Sequence, residues 1–394
     1  MKRLFTFLGA MVFMAGSAAC AQEVLSNVPP QTTVSDVATT SAANTVTTED
    51  DVDLIPSISL DSRFGYEHTF SGRAAGFGGD GFYLNIDGSL SKNFSYSLSQ
   101  RLFSSSGEDD SVFDYTDWLT LTYDVGQFSF TAGKDIVKVG SFEYDAYDID
   151  SYFDMNSMFY NSFSCYQWGV SATWNSKEGD SSVSFQVTNS PFSYSPKWDN
   201  MYAYNLAWTY GWDHYEALWS INFFEYEKGE FVKCVALGNM FYFGDFSLNV
   251  DWITRADDWK DKLDTDMTLT ASPSYNFGES VRLFGKFGWE RTSEDLSYDF
   301  WGEYLDEEEK AAINEENEAV MPAFLLADKD YIFYGAGLEY FPLKENKSIR
   351  LHAVWASNNY TKRHMINVGL TWKFDLVNAF RYIARKAREL YSLI

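Results

Sequence analysis

Ten residues from Tyr166 to Asn175 fall into two alternating sets. Tyr166, Trp168, Val170, Ala172 and Trp174 are apolar or aromatic. Gln167, Gly169, Ser171, Thr173 and Asn175 are small or polar. A period of two is the pattern of a β-strand with one oily and one wet face. The oily stripe carries an aromatic residue at each end, and its length suits a tilted strand crossing the apolar core of a membrane. One such segment constrains little. The chain repeats it in sixteen segments between Ile58 and Phe374, and few architectures accommodate that.

The first segment sets Ile58, Leu60, Phe64 and Tyr66 against Ser59, Asp61, Arg63 and Gly65. The fourth sets Leu119, Leu121, Tyr123 and Val125 against Thr120, Thr122 and Asp124, and the last sets Ile366, Val368, Leu370, Trp372 and Phe374 against Asn367, Gly369, Thr371 and Lys373. The tenth, Phe231 to Tyr242, is ambiguous in phase. Connections after even segments are short, such as Lys92-Asn93, Gly126 and Gly244-Asp245. Those after odd segments are mostly longer, such as Val137 to Ser164 and Thr292 to Lys329. Soluble sheets also alternate, but large aromatics on nearly every exposed face would drive aggregation in water. A closed barrel in lipid needs that face, and closure removes its edge strands. The expected fold is therefore all-β, a transmembrane antiparallel barrel of about 16 strands. Short turns mark the periplasmic end and long loops the outside. Both termini are then expected in the periplasm of a Gram-negative cell.

The ends of the chain read differently. Lys2-Arg3, an apolar Leu4–Met14 and Ala19-Cys20-Ala21 form a secretory signal over residues 1–21, too short to span a bilayer as a helix. Lipidation of Cys20 is the alternative, against which stands Ser17 three positions earlier. Residues 22–53 read as a flexible leader, 54–374 as the barrel and 375–394 as an amphipathic helical tail. Leu376, Phe380, Ile383, Ala387, Leu390 and Ile394 recur at helical spacing in that tail, beside Arg381, Arg385, Lys386 and Arg388. It suits a periplasmic leaflet, a trimer contact or the barrel mouth. Cys165 and Cys234 fall on non-adjacent strands, and a bond between them is not expected. Aromatics make up 18% of the chain and the formal net charge is −26. Such acidity argues against nucleic-acid binding, and such aromatic content against a disordered acidic protein.

Three stretches carry a family likeness: Thr131-Ala132-Gly133-Lys134-Asp135, Val139-Gly140-Ser141-Phe142-Glu143-Tyr144 with Asp148-Ile149-Asp150-Ser151-Tyr152, and Asn367 to Phe374. They resemble the phosphate-selective porin O/P-like outer-membrane family, Bacteroidetes-type members above all, and Gln22 after the signal fits that group. The resemblance implies sixteen strands, a homotrimer and a third extracellular loop folded inward, here Lys138 to Ser164. It also implies phosphate selectivity resting on arginines and a lysine ladder, and here the chain departs. Pore-lining charged candidates are few and scattered: Asp61, Arg63, Arg101, Arg282, Lys286, Arg350, His352 and Lys373. The presumed constriction loop instead carries Glu143, Asp145, Asp148, Asp150 and Asp154. Rings of carboxylates favour cations in a pore.

The expectation is a porin for passive diffusion of small hydrophilic solutes or ions, cation-preferring rather than phosphate-selective. Its partners would be outer-membrane lipid and lipopolysaccharide. The alternative is a structural barrel or surface adhesin acting through acidic loops such as Thr292 to Lys329. No catalytic residue, metal or cofactor is read from the sequence. His68 and His364 sit near the outer ends of strands one and sixteen, with only Ser62 as an outward serine nearby and no acid placed for a triad.

Overall fold

A computed structural model describes residues 55–70, 75–102, 112–146, 152, 156–161, 165–193, 200–256, 266–292, 329–343, 347–359 and 364–381. Sixteen strands are present: β1 (Ser57–Thr69), β2 (Ala75–Ser91), β3 (Phe94–Arg101), β4 (Thr116–Val125), β5 (Phe128–Ile136), β6 (Tyr166–Asn175), β7 (Ser181–Asn189) and β8 (Tyr202–Trp212), then β9 (Tyr215–Glu227), β10 (Glu230–Phe243), β11 (Phe246–Ala256), β12 (Met267–Phe277), β13 (Val281–Thr292), β14 (Lys329–Tyr340), β15 (Ile349–Asn358) and β16 (His364–Asp375). Each pairs antiparallel with its sequence neighbours, and β1 pairs with β16 to close the barrel. The signal peptide and leader lie outside the described residues.

Alternation becomes an inside and an outside. Val170, Phe185 and Leu206 are 58%, 50% and 48% exposed, while Asn205 and Asn222 are fully buried. This inverts a soluble protein and matches an outer-membrane barrel, whose apolar belt faces lipid and whose lumen is polar. On β6, Trp168 and Val170 face out and Gln167 and Ser171 face in, as the pattern predicts. Tyr166, grouped by sequence with the outer set, is instead buried beside Trp118, where the chain leaves the β5–β6 end. Short turns close the other end. Gly126, Gly244 and Gly278 hold positive φ there, which hairpin turns demand and glycine adopts without strain.

The ambiguous phase of β10 now has two causes. Its inner face carries Val232, Cys234 and Ala236, all buried, so the wet face is not wet. Its outer face carries Asn239, whose amide oxygen accepts from the Tyr215 hydroxyl (2.7 Å) and the Trp219 indole (3.2 Å). Cys234 is free, so no bond joins it to Cys165.

After β16 the chain becomes helical from 376 through 381, the last described residue. Asp375 caps this turn: its carboxylate accepts from the Asn378 amide N–H (2.8 Å) and side chain (2.6 Å). The rest of the expected tail lies outside the described residues.

Candidate functional site

The connection between β5 and β6 folds into the lumen. It begins along a row of polar side chains on the inner faces of β7 to β9. Gln186 receives the Lys138 N–H (2.9 Å) and donates to the Ile136 carbonyl (2.8 Å). Asn205 links Gln186 (3.1 Å) to Asn222 (2.7 Å), and Asn222 donates to the Lys138 carbonyl (2.8 Å). Ser220 accepts the Gly140 N–H at 2.8 Å. Gln186 and Asn222 thus bond both the wall and the connection, with Asn205 joining them, as buried polar groups require.

Gly140 marks the closest approach. A Cβ there would stand 2.6 Å from the Ala236 carbonyl oxygen and 2.6 Å from the Ser220 nitrogen, both backbone atoms. Asp251 on β11 then holds the first turn of the connection. It accepts from the Ser141 hydroxyl (3.0 Å) and the Glu143 N–H (2.7 Å). Beneath these bonds, Val137, Val139, Tyr144, Phe159 and Tyr160 pack with Ala203, Phe224, Val232, Cys234, Ala236 and Ile253 of the wall. Burying such side chains contributes about 1.5–3 kcal/mol each for the larger ones.

Farther on, ion pairs take over. Glu143 meets Lys286 of β13 at 2.8 Å and accepts the Ser157 N–H at 3.1 Å. Asn156 accepts from the same ammonium at 2.5 Å. Glu290, fully buried, accepts from the Phe159 N–H (3.2 Å) and pairs with Arg255 at 2.7 Å. Tyr152 reaches the far wall. Its hydroxyl donates to Glu339 of β14 (2.5 Å), and its ring stacks on His352 of β15 with centroids 4.2 Å apart. Arg63 and Arg350 stand over the same ring at 5.6 and 5.5 Å. Burial and the facing Glu339 push the Tyr152 phenol well above its usual pKa, keeping it a hydrogen-bond donor. The connection thus runs from β5 past β7–β11 to β13–β15.

The sequence-predicted residues divide accordingly. Glu143 is a tether, buried and paired. Asp145 is partly exposed, yet enclosure by protein pushes its pKa up to about 8; Asp135 and Asp251 add to the shift and Lys138 opposes it. Asp148, Asp150 and Asp154 lie outside the described residues. Lys286, Arg63, Arg350 and His352 gather around the connection, and Arg282 pairs with Glu339 at 3.3 Å. Arg101 pairs with Asp117 at 2.7 Å, away from it. Asp61 accepts from Asn85 at 3.0 Å, and Lys373 faces it across the β1–β16 seam. Sequence reasoning missed Gln186, Asn205, Asn222 and Asp251. The signal available for them was the failed alternation of β10, whose apolar inner face needed a cover.

His68 and His364 belong to aromatic clusters on the outer rim, with Tyr66 and Phe70 around the first and Trp355 against the second. Ser62 lies six residues from His68 along one strand, about 20 Å away.

No family model matches the chain, and no curated protein matches it. Solved structures do match in fold. A loop-deletion mutant of OmpT, an outer membrane protein of Vibrio cholerae, aligns with a TM-score of 0.54 at 11% identity, over 81% of this chain and 99% of that one. A mutant porin of Rh. blastica gives 0.51 at 11% identity, over 81% and 100%. The outer membrane channel DcaP of Acinetobacter baumannii gives 0.51 at 11% identity, over 83% and 99%. At such identity the likeness establishes the porin barrel fold and not the phosphate-selective group that the short motifs resemble.

Proposed function

We propose that this protein is a porin: a passive outer-membrane channel for small hydrophilic solutes, working as a homotrimer among lipid and lipopolysaccharide. The observation that carries the reading is the β5–β6 connection held inside a closed polar lumen by bonds to β7, β9, β11, β13 and β14. A segment so fixed narrows a passage without sealing it by chance motion. The channel discriminates by size at this loop and by fixed charge.

Cation preference is part of the proposal. Three of the lumen basic groups near the loop are matched to carboxylates: Lys286 to Glu143, Arg255 to Glu290 and Arg282 to Glu339. These pairs cancel cationic charge that phosphate selection would use, and the chain as a whole is strongly acidic. Planar-bilayer recording tests it. Discrete conductance steps and a reversal potential of cation sign in a salt gradient are expected; absent conductance refutes the channel, and anion selectivity refutes the preference.

A further inference from the structure

Three consecutive strands, β6 to β8, carry no Asp, Glu, Lys, Arg or His at any position. Among the other strands only β12 shares this, and it stands alone between two charged neighbours. From Gln167 onward the inward residues of β6–β8 are hydroxyls, amides, alanine and glycine. At the level of Gln186 the β5–β6 connection is bonded to this wall. Nearer the short turns lie two further rows, Thr173 beside Ser184, and Asn175 beside Ser182 and Thr209. Their hydroxyls bond to one another, Thr173 to Ser184 at 2.5 Å and Ser182 to Thr209 at 2.6 Å. Thr173, Asn175 and Thr209 are only half-buried. Ser171 is a separate case. It faces inward in the row between Thr131 and Gln186 and is 8% exposed, yet its hydroxyl has no bonding partner among the described residues.

A bonded pair of hydroxyls uses one O–H and one lone pair, so it still has a donor and several acceptor sites to offer. The Ser171 hydroxyl keeps all of its bonding capacity. An anion needs donors and a metal cation needs acceptors, whereas the hydroxyl of a sugar needs both in one place. Rows on one face are about 7 Å apart along the strands, and neighbouring strands about 5 Å apart, so a small sugar can reach across several of these groups. We infer that Ser171, Thr173, Asn175, Ser182, Ser184 and Thr209 form a subsite for neutral polyhydroxylated solutes, sugars in chemical class, on the short-turn side of the inner connection. The inference rests on the channel reading and names a solute class for it. A sugar in passage exchanges its bonds to water for bonds to this patch.

Maltose and a polyethylene glycol of matching hydrodynamic size are the probes. Both are neutral, but the ether oxygens of the glycol only accept. Maltose added to either side of a planar bilayer should interrupt the potassium chloride current of single channels, and the glycol should do so far less. T173V/T209V removes one hydroxyl from each pair and keeps the β-branched shape. Its apparent dissociation constant for maltose should rise about tenfold, the combined weight of two neutral hydrogen bonds. T173S/T209S keeps the hydroxyls and should bind maltose as the wild type does. The inference is overturned by a wild-type current that maltose leaves uninterrupted, by equal interruption from both probes, or by an unchanged constant in T173V/T209V. A serine variant weakened as much as the valine variant overturns it too. Should the valine variant not fold, liposome swelling by the wild type decides: maltose entry should saturate with concentration, and a linear dependence like that of the glycol overturns the inference. A wild type that conducts nothing refutes the channel reading instead.

Discussion

Replacing Lys286 with Met removes the cation on which the inner loop hangs. The perturbation is local: the side chains of Lys286 and Glu143 are 10% and 4% exposed, and Met keeps the bulk of the aliphatic stem. Glu143 is then left buried in the connection with one amide donor, from Ser157, in place of an amide and an ammonium. Asn156 loses its donor as well. Breaking a buried pair by removing one partner costs about 3–5 kcal/mol. At about 1.4 kcal/mol per tenfold, the docked-to-undocked ratio of the loop falls by roughly two to three and a half orders of magnitude. Hydrogen exchange reads this directly. The amide N–H groups of Glu143 and Ser157 donate to Asp251 and Glu143 while docked, and their protection should fall by about that factor in K286M. The barrel strands should keep theirs. Single-channel records should show added open-state noise. E143Q/K286M should regain most of the protection, because a neutral amide no longer needs the ammonium. Unchanged protection at Glu143 and Ser157 in K286M would refute the assignment of this pair as the tether.

Three further outcomes are expected. G140V sets a side chain against the carbonyl of Ala236 and the nitrogen of Ser220, so the loop must lift; a destabilisation of about 1–3 kcal/mol, read as loop cleavage by protease with the barrel intact, is expected. Asp145 has a folded pKa raised from 3.8 to about 8, so the native state holds a proton that the unfolded state releases between those values. Its contribution is full below about pH 4 and is lost as pH rises through about 8, and D145N should flatten that part of a stability-versus-pH curve. D375A removes the cap on the helical turn after β16 and should cost about 1 kcal/mol of local helix stability, seen as faster exchange at the Asn378 amide.

The wall of this protein was legible in the sequence. Period-two alternation is a local property: whether Val170 faces out and Ser171 in depends on neighbours one and two positions away, and sixteen repeats with alternating short and long connections leave a closed barrel as the consistent solution. The exceptions were legible as exceptions. The phase of β10 failed because Val232, Cys234 and Ala236 answer to a loop some ninety positions earlier in the chain rather than to the pleat. Tyr166 left its set for the same reason.

What the loop acids do could only be decided by tertiary structure. Glu143 and Asp145 look alike in sequence, as two carboxylates in an acidic stretch. Folding gives one an ammonium from β13 and encloses the other near Asp135 and Asp251. Charge in sequence is a count, but charge in a lumen depends on which counter-charge lies within a few ångströms, and the chain brings Lys286 to Glu143 across 143 positions only by closing the barrel. The sequence by itself determined the pleat, the belt and the acidity. The tertiary structure decided which acids are tethers and which strands the loop is held against.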